Sequence, residues 1–380
     1  MNRRRRVLLL SPFACLVPAC SRGPEDAPRL SPGEKLSAET TGYPKVTQPR
    51  AFRWPADHGC HPGYKHEWWY LTGQLLTVDQ RRFGFQFTVF REAIAPVPPH
   101  SPSKWATSQL YLAHVALTDV YAGRYLSDER SARGALGLAG ARADPFRVWL
   151  EDWQLNGRAD GAGAMIGRVH VSSRRFGYDL EIRNTRPPLP QGDHGMSLKG
   201  PQGNASYYYS YTGLDARGSV RVDGKPYDAA GSAWFDHEWS SSALESSQAG
   251  WDWFSLQLAD GAALMVFRLR DKSGPHKDFY SGTFVDGAGD KTVLSSGQIE
   301  IQARDYWTSS RTGVRYPVKW RISVPDLDLV LDTEPWLDDQ EFVHGFRYWE
   351  GAVRVDGRHK RSRVRGEGYV ELTGYTSAPE

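Results

Sequence analysis

Alternation at period two constrains this chain more than any other feature. In Phe83-Gly-Phe-Gln-Phe-Thr-Val-Phe-Arg91, residues Phe83, Phe85, Phe87 and Val89 fall on one side of an extended strand, whereas a helix would scatter them around its circumference. The same grammar recurs in Trp68–Leu76, Gln109–Asp119, Phe146–Leu150, Ile166–Ser172, Tyr178–Ile182, Tyr207–Tyr211 and Gly218–Val222. Asp223-Gly224 is a hairpin signal, and Arg186-Pro-Pro-Leu-Pro190 reads as a loop. With 14 Trp, 18 Tyr and 38 Gly, the composition favours strands and turns. Meandering antiparallel strands must dispose of their edges. Closure into barrels does so, with a two-sheet sandwich as the alternative.

The grammar restarts in the second half. Trp251-Asp-Trp-Phe-Ser-Leu-Gln-Leu258 can be laid over Trp68-Trp-Tyr-Leu-Thr-Gly-Gln-Leu75, which matches Trp251 to Trp68, Trp253 to Tyr70 and Gln257 to Gln74. Each copy leads after a turn into a strand carrying Val-Phe-Arg, at 89–91 and 266–268. Two related domains are expected, at 51–245 and 246–378, divided in the small, polar run Ser241–Ser247. Further strands are expected at Gly297–Ile301, Val318–Val324, Leu327–Leu331, Tyr348–Val355 and Gly368–Thr373.

Residues 1–20 read as a targeting segment. Arg3–Arg6 precede a short apolar run that Ser11-Pro12 interrupts, too short to span a bilayer. Val17-Pro-Ala-Cys20 resembles a lipobox with Cys20 as the lipidated residue. Plain secretory cleavage is the alternative, and the arginine run leaves a twin-arginine route open. Ser21 is not Asp, which points away from inner-membrane retention. Residues 21–50 are rich in Pro, Ser, Gly and charge and read as a tether. The expected location is therefore the bacterial cell envelope, periplasmic side, lipid-anchored, with the outer membrane favoured. The formal charge of +3 falls to about −1 once the four arginines are removed. No basic patch points to nucleic acid. Cys60 is the one cysteine left after residue 20, so stability rests on packing and not on an internal disulfide.

The residues able to carry chemistry cluster in two stretches. Gly231-Ser-Ala-Trp-Phe-Asp-His-Glu-Trp-Ser240 sets Asp236, His237 and Glu238 between two indoles, Trp234 and Trp239. His58-Gly-Cys-His-Pro-Gly-Tyr-Lys-His-Glu-Trp-Trp-Tyr70 is the other. Carboxylates among tryptophans describe a mostly apolar pocket holding a few polar groups. Asp236, His237, Glu238 and Trp239 are the candidate catalytic residues. Trp68, Trp69, Tyr70, His114, Trp251 and Trp253 are the candidate ligand-binding residues.

Three long motifs resemble the AttH/carotenoid 1,2-hydratase-like family. They are Asp57-His-Gly-Cys-His-Pro with His66-Glu-Trp-Trp-Tyr-Leu-Thr-Gly73; Trp234-Phe-Asp-His-Glu-Trp239 with Trp251-Asp-Trp253; and Tyr348-Trp-Glu-Gly-Ala-Val353 with Gly366–Gly374. The resemblance implies an all-β chain of two lipocalin-like antiparallel β-barrel domains. It also maps the hydratase His-x-Trp motif onto His237 and Trp239. Hydration of an isolated alkene needs an acid to protonate carbon and aromatic faces to stabilise the cation, and Asp236 is the natural acid, with Glu238 second. One departure stands out: the hydratases carry a Tyr and an Asp close together on the next strand, and Ala263–Asp271 has no such pair before Asp271.

Competing readings accompany each of these residues. Asp236 and Glu238 could instead be held in buried ion pairs with Arg91 or Arg268, locking one barrel to the other. The tryptophans could be core fillers, and His114 a satisfied core histidine. His58, Cys60, His61 and His66 fit no standard zinc spacing, so neither metal nor cofactor is expected. No Gly-x-Ser-x-Gly elbow and no phosphate-binding glycine loop is present. Two functions remain open. One is an envelope lipoprotein holding an apolar lipid or terpenoid in its barrels; the other is a hydratase-like lyase or isomerase acting on an apolar polyene. Docking to an envelope ABC transporter is a third role compatible with the location alone.

Overall fold

The computed structural model describes residues 40–159, 163–184, 186–242 and 244–377; the targeting segment, Cys20 and most of the tether lie outside them. Helical structure among these residues is limited to short 3₁₀ turns. The first sheet contains β1 (His66–Thr77), β2 (Arg82–Ala93), β3 (Gln109–Asp119), β4 (Arg124–Arg133), β5 (Ala139–Ala143), β6 (Phe146–Leu150), β7 (Trp153–Ala159), β8 (Met165–Ser172) and β9 (Phe176–Asn184). The short β10 (Leu189–Pro190) and β11 (Met196–Leu198), then β12 (Ala205–Val222) and β13 (Lys225–Ser240), complete it. Its order is β4-β3-β2-β1-β13-β12-β9-β8-β7-β6-β5, antiparallel throughout.

The second sheet contains β14 (Gln248–Leu258), β15 (Ala263–Asp271), β16 (Phe279–Val285), β17 (Lys291–Ser295), β18 (Glu300–Thr308), β19 (Arg315–Val324), β20 (Leu329–Pro335), β21 (Glu341–Val343), β22 (Arg347–His359) and β23 (Ser362–Leu372). Its order is β17-β16-β15-β14-β23-β22-β20-β19-β18. Both sheets curl into lipocalin-like barrels. In the first, Arg130 of β4 lies 4.0 Å over the Trp153 ring at the start of β7 and pairs with Asp152, drawing the two ends together. The chain passes between sheets at residues 241–247.

Alternation divides every central strand between two environments. Trp69, Leu71, Leu75, Phe83, Phe85, Phe87, Phe235 and Trp239 pack inside the first barrel. Phe254, Leu256, Leu264, Val266, Trp320 and Trp349 pack inside the second. The outer faces are equally apolar where the barrels meet: Tyr70, Tyr208, Trp234, Leu244, Trp253, Met265, Phe267, Ala352 and Tyr369 form a third core. Each fully buried aromatic of this size contributes about 1.5–3 kcal/mol, so the interface is a cohesive layer in its own right.

The barrels are related by an approximate twofold that the sequence overlay anticipates. Gln74 Nε2 donates to Val353 O at 2.8 Å and Gly368 O at 3.0 Å across the interface. Its counterpart Gln257 donates back to Thr212 O at 2.8 Å and Ala233 O at 3.0 Å. Tyr70 and Trp253, also counterparts, meet edge-to-face with centroids 5.1 Å apart. Strand pairing extends the correspondence. Tyr70 pairs with Asp236 and Trp253 with Glu371, while Asp236 pairs with Ser210 and Glu371 with Glu350.

Two local expectations need correction. Arg186–Pro190 is not all loop, because Leu189 and Pro190 pair with Ser210 and Tyr209. Tyr207–Tyr211 and Gly218–Val222 are one strand, β12, with an irregularity between Tyr211 and Leu214. That bulge lets one long strand serve both the barrel wall and the interface.

Candidate functional site

The run Trp234–Trp239 lies on β13, and alternation splits its residues between the two faces. Phe235, His237 and Trp239 point into the first barrel, with Trp69 of β1. Trp234, Asp236 and Glu238 face the second barrel, with Trp68, Tyr70, Trp251 and Trp253. His114 joins this second group: its ring lies 4.4 Å from that of Phe342, and Nδ1 is 2.8 Å from the Tyr348 hydroxyl. The residues predicted from sequence therefore form two sites, back to back across one strand.

At the interface, Asp236 accepts hydrogen bonds from Tyr208 Oη (2.7 Å), Ser210 Oγ (2.5 Å) and Trp234 Nε1 (2.7 Å). Burial pushes its carboxyl up to about 7, outweighing those three donors, which favour the charged form. Glu371 and Glu350 stand directly opposite one another on β23 and β22. Burial, followed by its neighbour's charge, holds Glu350 well above the usual carboxylate range. Burial raises Glu371 to about 8 against a hydrogen bond from the Trp251 indole. Two carboxylates facing each other on adjacent strands cannot both ionise cheaply. Glu350 also faces the phenols of Tyr70 and Tyr348 and the amide of Gln86. Among the described residues, no ion pair holds Asp236, Glu350 or Glu371.

The competing reading, ion pairs of Asp236 and Glu238 with Arg91 or Arg268, does not hold. Glu238 pairs instead with Lys199 at 2.8 Å, Arg91 serves Glu67 inside the first barrel, and Arg268 serves Asp278. Glu350, Glu371, Tyr208 and Tyr348 were not singled out from the sequence. The signal was there: Tyr348-x-Glu350 and Tyr369-x-Glu371 each place two polar residues on one face of a strand within the third motif.

Access runs along the same rows of side chains. An open groove of about 770 Å³ lies between the barrels, lined among others by Ser232, Gln257, Ala263 and Trp336. Ser232 precedes Trp234 and Asp236 on one face of β13, and Ala263 precedes Met265 and Phe267 on β15. Ala263 and Trp336 are where the groove borders the shared core, and its rim carries Arg82, Arg186, Arg354, Arg365 and Glu367. Asp236 itself is 2% exposed, so a ligand must part the aromatic layer to reach it. At the far end Trp68 and Trp251 are half-buried.

Inside the first barrel a separate polar chain runs from the segment preceding β1. Asp57 meets Arg50 at 2.7 Å and His61 Nε2 at 3.2 Å. His61 Nδ1 meets Glu67 Oε1 at 2.7 Å, and His237 Nε2 meets the same oxygen at 2.9 Å. Tyr209 Oη lies 3.2 Å from His237 Nδ1 and 2.7 Å from His58 Nδ1. Burial drops His237 to about 4 despite its hydrogen bond to Glu67. Burial would raise Glu67, but His61, His237 and Arg91 together hold it well below the usual range. His61 is stacked flat on Trp239 at 3.7 Å, and His237 on Trp69 at 4.7 Å. The four residues weighed as a zinc cluster do not converge. His58 pairs with Tyr209, His66 with Glu92 on the other face of β1, and Cys60 is a half-buried free thiol.

The AttH-like family model matches residues 45–375. The chain belongs to the AttH-like family. An AttH protein of Nitrosomonas europaea is 36% identical, covers 88% of this chain and 99% of its own, and superposes with a TM-score of 0.78. Kievitone hydratase of Nectria haematococca shares the fold at 14% identity, covering 88% and 98% with a TM-score of 0.64. CghA, solved with Sch210972, shares it at 14% identity, 92% and 99% coverage and a TM-score of 0.54. A search of curated proteins gave no match.

Proposed function

We propose that this AttH-like protein catalyses proton transfer to an unsaturated, largely apolar small molecule between its barrels, adding or removing water in the manner of a hydratase. The observation that carries the reading is the set of three carboxyls, Asp236, Glu350 and Glu371, placed in an aromatic interface without a cation partner. An unpaired buried carboxyl is costly and is the form a general acid requires. Tyr70, Trp234 and Trp253 present ring faces and edges beside these acids, suited to a developing cation. That one structural relative is named a hydratase supports the same class of chemistry.

The aromatic layer between the barrels favours a second reading, in which the protein binds an apolar lipid or terpenoid without transforming it. One experiment separates the two. The purified protein is incubated with linear polyenes and the products are analysed by mass spectrometry. A product heavier by one water, abolished in Asp236→Asn or Glu371→Gln with ligand binding retained, supports the enzyme. Retained ligand with no product in the wild type supports the carrier. The envelope setting is part of the proposal and has its own test: fatty-acid labelling of the expressed chain that disappears in Cys20→Ala.

A further inference from the structure

We propose that His61, Glu67 and His237 form a binding site for one divalent transition-metal ion of the zinc class, inside the first barrel and on the opposite face of β13 from the acids. One donor atom from each of the three residues lies within 4.8 Å of the other two, and His61 Nδ1 and His237 Nε2 both meet Glu67 Oε1. Two imidazoles and one carboxylate oxygen are a standard donor set for Zn²⁺, with a fourth position left for water.

The surroundings strengthen this assignment. Metal-bound histidines characteristically donate their second ring nitrogen to a carboxylate or another fixed acceptor, and ligating carboxylates are themselves hydrogen-bonded. Here His61 Nε2 faces Asp57 Oδ1 at 3.2 Å, and His237 Nδ1 faces Tyr209 Oη at 3.2 Å. Glu67 Oε2 receives Arg91 Nε at 2.7 Å and the His61 backbone N–H at 2.8 Å, while that N–H reaches Oε1 only at 3.2 Å, which makes Oε1, between the two imidazoles, the ligand atom. The protons can be accounted for. On metal binding, Glu67 Oε1 gives up two hydrogen bonds. His61 releases its Nδ1 proton and keeps Nε2–H towards Asp57. His237 moves its single proton from Nε2 to Nδ1, where it donates to Tyr209, whose own proton goes on to His58 Nδ1, 2.7 Å away.

Stacking on Trp239 and Trp69 restrains the orientation of both rings. The present separations of 2.7 and 2.9 Å are those of hydrogen bonds. Ligands about 2.0–2.2 Å from a tetrahedral ion sit farther apart, so the side chains must spread by roughly 0.5 Å. His61 is the point of access, its side chain being 15% exposed while those of Glu67 and His237 are closed off. The bound ion would clip the segment before β1 to both β1 and β13.

The full-length protein, stripped with a chelator, is titrated with Zn²⁺ by calorimetry and with Co²⁺ by visible absorption, and melting temperature is followed alongside. One equivalent with a rise in Tm is expected. Affinity should fall on the order of 100-fold or more in His61→Gln, and 10- to 100-fold in Asp57→Asn, which touches no metal. His61→Gln sits at the mouth and keeps an amide to bond Glu67, so circular dichroism confirms its fold even where His237 variants fail. Absence of stoichiometric binding in the folded wild type, or binding unchanged in His61→Gln, overturns the proposal.

Discussion

The Glu350–Glu371 pair shows how far one residue's setting departs from its type. Glu371 has a folded-state value near 8, against an ordinary carboxylate value near 4.3 in the unfolded chain. Between those limits the folded state holds a proton that the unfolded state has lost, so stability falls as pH rises through that window. The contribution is complete below about pH 4 and gone above about pH 8. Glu371→Gln, which stays neutral, should flatten the fall in melting temperature over this range relative to the wild type. Glu67 behaves in the opposite sense, as half of a fully buried pair with Arg91. Breaking such a pair from one side strands a charge, so Arg91→Met should cost about 3–5 kcal/mol in denaturant unfolding. Asp236 and Glu238 were legible in the sequence as candidate acids, whereas Glu350 and Glu371 lay unremarked within the third motif. Which cation, if any, meets each carboxylate was not legible, because Arg91, Arg268 and Lys199 are interchangeable until the barrels close.

At the scale of the element, the strands most legible in the sequence are those with an aromatic or apolar run, such as β2 and β3, which are largely buried on both faces. β4 was missed because Arg124–Arg133 carries five charged residues and buries little beyond Leu126. It is held by pairing with β3 and by charge contacts and not by an apolar stripe. On β13 the sequence reading grouped Asp236, His237, Glu238 and Trp239 as one candidate site, and strand alternation divides them. Adjacent residues on a strand point apart, so Asp236 and His237 never share a pocket, however close they stand in sequence. The reciprocal glutamines give this scale its prediction. Gln74→Ala and Gln257→Ala each leave two interface carbonyls without their donor, and each should cost about 1–3 kcal/mol. Near-equal losses for the two variants in chemical denaturation would bear out the twofold relation. A loss confined to one would count against it.

For the molecule as a whole, the shared core makes the two barrels one cooperative body. Gly84 of β2 is a point of close approach: a Cβ there would stand 2.7 Å from Ala352 Cβ and 2.9 Å from Tyr369 Oη. Gly84→Leu should wedge the barrels apart while leaving each interior intact. Two calorimetric transitions in place of one, and a larger radius in X-ray scattering, are the expected readouts, with loss of any acid-catalysed turnover. A single unchanged transition would show that the third core tolerates the insertion. The two-domain plan was readable because the Trp-x-x-x-x-x-Gln-Leu pattern occurs twice. The interface was not, since period two reports that a face is apolar without saying what covers it.

Reciprocal glutamines and an axial aromatic contact are what a symmetric homodimer of a single barrel would present to its own copy. Because both barrels here belong to one chain, the two halves are free to differ. Asp236 has a serine neighbour on the next strand while Glu371 faces a second glutamate, so the two related positions offer one interface two different acid environments.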